Sequence, residues 1–235
     1  MIKKSVSVVY PAFNEEKNVE RAIDAAVEVL EEIEVDYEII VVDDASTDRT
    51  VQLVKAAQGS NPHIRLISLE KNTHYCGALK TGMFSATKEL ILYSDTDLPF
   101  DMNELKKALH IMKVTNADVI MAYRFNRIAE GNIRIIYSFF YNSLVRHLFG
   151  LRIQDINFAF KLFKRTLLEG IELKSIGSFI DAEMIIKFFK KGAIIVQFGT
   201  DYFSRIYGKS TLASPKIILI IFYDIFRLFF ELKKK

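Results

Sequence analysis

The sequence predicts an α/β protein with a mostly parallel sheet flanked by helices, and three observations predict it. Short apolar runs, such as Glu38–Val42 and Leu90–Tyr93, alternate with segments of helical spacing. Strands without an inside–outside alternation belong to sheets covered on both faces. Pro11, Asp44, Asp95 and Arg124 stand at or just beyond the ends of such runs, where open parallel sheets hold their ligands. The chain has 235 residues, 50% hydrophobic and 26% charged, enough for one domain with a sizeable core.

The elements follow in order. Ser5–Tyr10 is a β-branched run expected to end at Pro11. Glu15–Glu34 carries Val19, Ile23, Ala26, Val27 and Leu30 on one helical face. Glu38–Val42 is the second strand, and Ser46 and Asp48 are candidate caps for a helix over 50–58. Ile64–Leu69 is a third strand, Cys76–Thr87 a helix, Leu90–Tyr93 a fourth strand, Met102–Val114 a helix and Asp118–Ala122 a fifth strand. The second half is more aromatic. It offers an apolar helix over 134–151, a short strand over 155–163, a helix over 179–191 and a strand over 193–198.

The end of the chain, 216–232, is strongly apolar and finishes in Lys233, Lys234 and Lys235. It is short for a bilayer crossing, and Asp224 and Arg227 interrupt it. Asp224, Arg227, Glu231 and Lys234 fall near one helical face. The pattern predicts an amphipathic helix lying in a membrane interface, with the 134–151 helix beside it. Core or dimer packing is the other reading. The division expected is 1–211, with a nucleotide-binding half (1–125) and an acceptor half (126–211), followed by a membrane-associating helix (212–235).

The net charge of +3 is too small to argue for nucleic acid, so none is expected as a partner. Cys76 is the one cysteine, which rules out an internal disulfide and fits a reducing compartment. No cleavable leader is read at the N-terminus. The expected location is peripheral, on the cytoplasmic face of a membrane, without a transmembrane span.

The sharpest chemical signal is Asp95-Thr96-Asp97 directly after a buried strand. Two carboxylates one residue apart can share Mg²⁺ or Mn²⁺ and leave positions for phosphate oxygens. Such an ion stabilises charge on a departing diphosphate. Capping of a turn is the plainer role for such a pair. Arg124, Arg134, Ser138, Asn142 and Arg146 offer donors suited to anions, the last four along one side of a helix. A solvated helix face is the alternative for Asn142 and Arg146.

Pro11-Ala12-Phe13-Asn14-Glu15, Val41 to Asp48, the small residues of 72–82, Asp95-Thr96-Asp97 and Arg124 occur in an order that resembles family 2 glycosyltransferases of the GT-A (Rossmann-like) fold. The likeness is closest to the branch with dolichyl-phosphate mannose and glucose synthases. It implies that Pro11, Phe13 and Glu15 line a nucleoside pocket, with Phe13 where the family has Tyr. Val42 and Asp44 would meet the base and ribose; turn chemistry is the alternative for Asp43 or Asp44. Asp95, Thr96 and Asp97 would hold metal and diphosphate, although Pro99 stands where a metal-contacting Gln is common. Arg124, Arg134 and Ser138 would grip a lipid phosphate. Asp155 to Lys161 resembles a further family segment, and Arg205 and Lys209 would lie in a loop closing over the donor.

The resemblance therefore implies inverting transfer of a hexose from GDP-mannose or UDP-glucose to a polyprenyl or dolichyl phosphate. UDP-N-acetylglucosamine stands behind those two donors. A phosphate acceptor needs little help from a base. A carbohydrate or protein acceptor would need one, with Asp155, Asp181 or Glu183 as candidates. A catalytically silent adaptor of the same fold is a third reading.

Overall fold

A computed structural model describes residues 5–126, 132–204 and 215–233, and of 132–134 and 215–218 the backbone alone. In chain order the elements are β1 (Val6–Ala12), α1 (Val19–Glu32), β2 (Tyr37–Asp43), α2 (Thr50–Ser60), β3 (Ile64–Ser68), α3 (His74–Ser85) and β4 (Leu90–Tyr93). Then come α4 (Glu104–Thr115), β5 (Val119–Arg124), α5 (Asn132–Phe149), β6 (Lys161–Lys164), α6 (Ile180–Lys190), β7 (Ile195–Thr200) and α7 (Pro215–Lys233). The strands form one seven-stranded sheet in the order β3-β2-β1-β4-β6-β5-β7. β6 runs antiparallel to both β4 and β5, and the other described pairs are parallel.

Both faces of the sheet are covered. Val6, Val8 and Tyr10 face α1 and α4 through Ile23, Leu30, Leu105 and Met112. Val9, Ile40, Val42 and Tyr93 face the other layer, where Leu79 and Met83 of α3, Val145 of α5, Ile185 and Phe188 of α6, and Leu228 of α7 complete a second core. Successive strand residues point to opposite faces. Apolar packing on both sides therefore favours apolar residues at most positions, so the strands read as near-continuous runs; the buried Ser7 and Glu38 near the starts of β1 and β2 bond each other (2.7 Å).

Two boundaries differ from the sequence reading for identifiable reasons. β1 does not stop at Pro11: Pro11 pairs with Val42 and Ala12 with Asp43. The Val9 carbonyl accepts from Ser94 N, so odd-numbered residues of β1 turn their backbone toward β4. β4 ends at Tyr93, opposite Val9, so the N–H that proline lacks falls beyond that ladder. The strand expected over 155–163 is only Lys161–Lys164. Before it, the Ile156 N–H donates to Asn142 Oδ1 (2.9 Å) and Phe160 N to the Phe158 carbonyl. Phe158 and Phe160 pack edge-on against Phe100, so ring packing holds this stretch rather than a ladder.

Backbone strain gathers at the carboxyl end of the sheet. Asn14 (φ 55°), Ala45 (61°), His74 (61°) and Leu98 (51°) are non-glycine residues in the left-handed region, and follow β1, β2, β3 and β4 respectively. Each costs on the order of 1–3 kcal/mol, and such residues concentrate at functional sites.

Candidate functional site

The loops after β1 and β2 are stitched together. Asn14 N donates to Ser46 Oγ (2.9 Å), Thr47 N to Asn14 Oδ1 (2.8 Å), and Glu15 N to Thr50 Oγ1 (2.8 Å). Asp43 accepts from Ser46 N (3.2 Å), and Asp48 from Thr50 N (2.9 Å) and Glu16 N (3.1 Å). Asp43 and Asp48 are thus turn and cap residues; Ser46 serves the β1 loop rather than α2. This lattice presents Phe13, 46% exposed, at the surface, beside Pro11 at the end of β1.

Asp44 does different work. Its Oδ1 accepts from both the amide (2.6 Å) and the hydroxyl (2.8 Å) of Thr73, ahead of α3. A Cβ on Gly77 would sit 2.2 Å from Thr73 Oγ1, so only glycine lets Thr73 fold over the first turn of α3 and reach Asp44. The sequence reading missed Thr73; the small residues of 72–82 were the available signal. Val42, expected at the base, has its side chain fully buried. It packs under α3, where a Cβ on Gly82 would meet it at 3.0 Å. Its side chain is core rather than pocket lining.

Asp95-Thr96-Asp97 forms the turn after β4. Thr96 and Asp97 are buried and Asp95 is partly exposed. Arg21 Nη2 donates to the Asp97 carbonyl (3.2 Å), and the Pro99 carbonyl accepts from Phe203 N (3.0 Å). The turn is therefore held from α1 and from the segment after β7. A cavity of about 300 Å³ opens beside it, lined by Arg21, Glu28, Asp97, Phe100, Asn103 and Phe203 among others. Tyr75 of α3 faces the same turn: burial, then Asp181, Asp95 and Asp97, push its phenol well above the usual value. Both carboxylates thus share one neighbourhood with α3.

A buried ionic network lies next to the turn. Lys161 Nζ, at the start of β6, donates to Asp181 Oδ1 (2.8 Å) and to the Phe158 carbonyl (2.7 Å). The Tyr93 hydroxyl donates to the same Asp181 oxygen. Arg124 forks onto Asp155, Nε to Oδ2 (2.7 Å) and Nη2 to Oδ1 (2.9 Å), with both side chains under 10% exposed. The rings of Phe158 and Tyr202 each lie 5.4 Å from its guanidinium carbon. The sequence reading gave Arg124 to a phosphate; here its fork closes on Asp155, a geometry that satisfies both groups of a buried pair.

On α5, Asn142 is buried: its amide donates to the Ser138 carbonyl (2.8 Å) and Oγ (3.2 Å), and its Oδ1 holds Ile156 N. It belongs neither to an anion stripe nor to a solvated face. The side chain of Arg134, and all of Arg205 and Lys209, lie outside the described residues.

The polar stripe of α7 is anchored through Asp224. Asp224 is fully buried, and its Oδ2 accepts from Ile176 N (3.0 Å) and Gly177 N (3.1 Å). Glu183 of α6 takes the two preceding amides, Lys174 N (2.8 Å) and Ser175 N (2.7 Å). Burial alone would raise Glu183, but these amides and the Lys187 ammonium hold it below the usual carboxylate range. The Ser175 carbonyl accepts from Lys80 Nζ (2.7 Å) and from Cys76 Sγ (3.0 Å) of α3, and burial pushes the Cys76 thiol up to about 12. Arg227 and Glu231 also turn to this loop, bonding the Lys174 carbonyl and ammonium. The polar face of α7 is thus tied to the 174–177 loop, with Asp224 buried and Arg227 and Glu231 exposed at its edge. Its outward face carries Leu219, Phe222, Tyr223, Phe226 and Phe230, each more than half exposed, and α5 exposes Ile136, Tyr137, Phe139 and Phe140. No described helix is long and apolar enough to cross a membrane.

Two carboxylates, Asp95 and Asp97, stand in the turn after β4, a donor type that hard cations accept. Among the described residues no three of His, Cys, Asp and Glu stand together as a ligand set. The protein's share would be Asp95 and Asp97, with phosphate oxygens and water completing the shell, as hard cations accept.

A mostly parallel sheet with an acidic turn at the carboxyl end of its central strand defines the GT-A class of glycosyltransferases. Within that class the chain belongs to Glycosyl transferase family 2, whose profile matches residues 7–171. It is 28% identical over 204 residues to glycosyltransferase AglD of Haloferax volcanii, covering 84% of this chain and 33% of that protein. It is 25% identical over 169 residues to dodecaprenyl-phosphate galacturonate synthase of Rhizobium johnstonii (72% of this chain, 50% of that protein). It is 28% identical over 169 residues to undecaprenyl-phosphate 4-deoxy-4-formamido-L-arabinose transferase of Yersinia pestis (72% and 51%). The chain thus spans a third to a half of these relatives' length. Glucosyl-3-phosphoglycerate synthase of Mycobacterium tuberculosis, crystallised with Mn²⁺, UDP and phosphoglyceric acid, shares the fold with a TM-score of 0.75 at 18% identity, over 99% of this chain and 80% of that one.

Proposed function

We propose that this chain transfers a hexose from a nucleotide-sugar to a polyprenyl or dolichyl phosphate at a membrane surface, with inversion at the anomeric carbon. The observation that carries the lipid acceptor is the orientation of α7. Its polar groups are consumed by the 174–177 loop while its large apolar side chains, with those of α5, face outward. Exposed apolar surface of this kind, with Lys233 at the end of α7, suits the headgroup–acyl boundary. Two of the relatives are named for transfer to undecaprenyl or dodecaprenyl phosphate.

The chemistry follows from residue types. A divalent ion held by Asp95 and Asp97 would supply charge neutralisation at the departing diphosphate. Phe13, Pro11 and Glu15 would flank the nucleoside, and Asp44, fixed by Thr73, would set the floor of that pocket. Arg134 and Ser138 would receive the acceptor phosphate, and Arg205 and Lys209 would close over the donor. A phosphate oxygen is already anionic and needs no side chain to deprotonate it. That agrees with the three carboxylates considered as bases. Asp155 is forked by Arg124, Asp181 is bonded by Lys161 and Tyr93, and Glu183 accepts from two amides and Lys187. Catalysis would rest on alignment and charge neutralisation.

The test is a panel of GDP-mannose, UDP-glucose and UDP-N-acetylglucosamine with Mg²⁺ or Mn²⁺ and polyprenyl phosphate vesicles, followed by extraction of labelled lipid. Product that requires both metal and lipid phosphate is expected. Transfer only to water-soluble acceptors would overturn the lipid reading.

A further inference from the structure

β4 and β6 meet for the last time before the acidic turn at Tyr93, which stands opposite Lys161. Residues opposite one another in a ladder share a face of the sheet. The Lys161 ammonium lies 4.9 Å from the centre of the Tyr93 ring. Asp181, in the first turn of α6, accepts on one oxygen from both the Lys161 ammonium (2.8 Å) and the Tyr93 hydroxyl. All three side chains are buried. On its other edge β4 is tied one residue further on, where Ser94 N donates to the Val9 carbonyl (3.1 Å), and Asp95 follows at once. The far half of the turn is held separately, by Arg21 on the Asp97 carbonyl and by Phe203 N on the Pro99 carbonyl. Within this turn Leu98 stands at φ 51°, a conformation that persists only where its surroundings over-determine it.

We infer that Asp181 and Lys161 are positioning residues for donor binding: acting through the Tyr93 hydroxyl, they fix where the acidic turn leaves the sheet, and so where Asp95 and Asp97 stand. The inference rests on the proposed donor site at that turn and names what holds the turn in place. A buried ion pair is a poor device for stability alone, since apolar side chains of similar volume often serve as well or better. What this network supplies and apolar packing cannot is direction, because hydrogen bonds weaken steeply away from their preferred angles. One carboxylate oxygen ties β4, β6 and α6 together at the residue pair nearest the turn. The Tyr75 phenol of α3 feels Asp181, Asp95 and Asp97 together, so the network and the two turn carboxylates share one neighbourhood. Groups standing behind the ligands of a metal commonly govern its affinity by about 10–100-fold.

The experiment uses two variants of the full chain. Tyr93→Phe removes one hydroxyl and leaves the Lys161–Asp181 pair. The triple variant Tyr93→Phe/Lys161→Met/Asp181→Leu makes the network apolar, while the Phe158 carbonyl keeps its bond from Phe160 N. The triple variant should hold Tm within about 4 °C of the parent. In both variants, exchange of the 94–98 amides should rise by about tenfold or more relative to the amides of β2 and β3. Affinity for UDP or GDP in Mn²⁺, read by calorimetry, should fall about tenfold. A purely structural network predicts parent-like exchange and affinity in a triple variant of matched Tm, and that result overturns the inference. So does faster exchange with nucleotide affinity unchanged. Should the triple variant be unstable, Tyr93→Phe decides by the same two readings. A parent chain that binds neither nucleotide would sink the donor reading instead, and exchange at 94–98 would still decide whether the network holds the turn.

Discussion

Asp224→Ala tests the orientation of α7 directly. The carboxylate is fully buried and accepts from Ile176 N at 3.0 Å and Gly177 N at 3.1 Å, with Arg227 Nη2 at 3.2 Å from its other oxygen. Hydrogen bonds to a charged acceptor contribute about 1.5–3 kcal/mol each. The Arg227 contact is partly exposed and adds little. Two amide bonds lost together predict about 3–6 kcal/mol, a large share of a typical domain stability of about 5–15 kcal/mol. The loss should be local, because α7 also rests on Gly177, where a Cβ would lie 2.6 Å from Ile220. Hydrogen exchange followed by mass spectrometry is the assay. Amides of 174–177 and of α7 should exchange about 100-fold faster or more, since about 1.4 kcal/mol is tenfold. Phe226→Asp, on the outward face at 79% exposure, should leave exchange and Tm almost unchanged, within about 0.5 kcal/mol. It should strongly weaken binding to anionic vesicles. If Asp224→Ala were silent and Phe226→Asp destabilised the fold, the faces of α7 would be reversed and the membrane argument would fail.

Three further outcomes are expected. Gly77→Ala places a methyl against Thr73 Oγ1; it should break the Asp44–Thr73 contact, cost about 1–3 kcal/mol by overpacking and weaken nucleotide binding in calorimetry. Glu183 has a folded pKa below its unfolded value. Its contribution is therefore complete above the unfolded pKa, about 4.3, and is lost as pH falls through the folded value. Acid titration of stability should show a deficit below about pH 4.3 that Glu183→Gln removes, the variant being less stable at neutral pH by about 3 kcal/mol. Arg134→Ala should reduce transfer to lipid phosphate by about 100-fold while donor affinity changes by less than about threefold; equal losses would remove Arg134 from the acceptor side.

The layered α/β plan was legible in the sequence because two-sided burial writes itself into near-continuous apolar runs, as in Glu38–Val42 and Leu90–Tyr93. The position of the acidic turn was legible too, since Asp95 follows Tyr93 directly and a strand end is a local property. Pro11 misled the reading because a proline's tolerance depends on which neighbour strand lies beside it, and that is fixed by sheet order. β6 was overextended for a related reason: Phe158 and Phe160 have strand-like composition, but ring packing on Phe100 uses them instead.

The partners of charged side chains could not be read from spacing. Arg124 and Asp155 stand 31 positions apart, as do Asp44 and Thr73 by 29, and nothing in the chain's periodicity couples them. The same holds for α7. Its sequence announced one polar and one apolar face, expected in a membrane interface or packed in a core or dimer. Only the folded arrangement offers Asp224 two backbone amides of the 174–177 loop, which bury its carboxylate. The sequence by itself determined the layers, the loop positions and the residue types of the site, because these follow from local periodicity and covalent order. The tertiary structure alone decided which carboxylates are consumed by arginines, lysines and amides, and which face of the last helix meets the surroundings, because buried charge takes its partners from whatever the fold brings within hydrogen-bond reach.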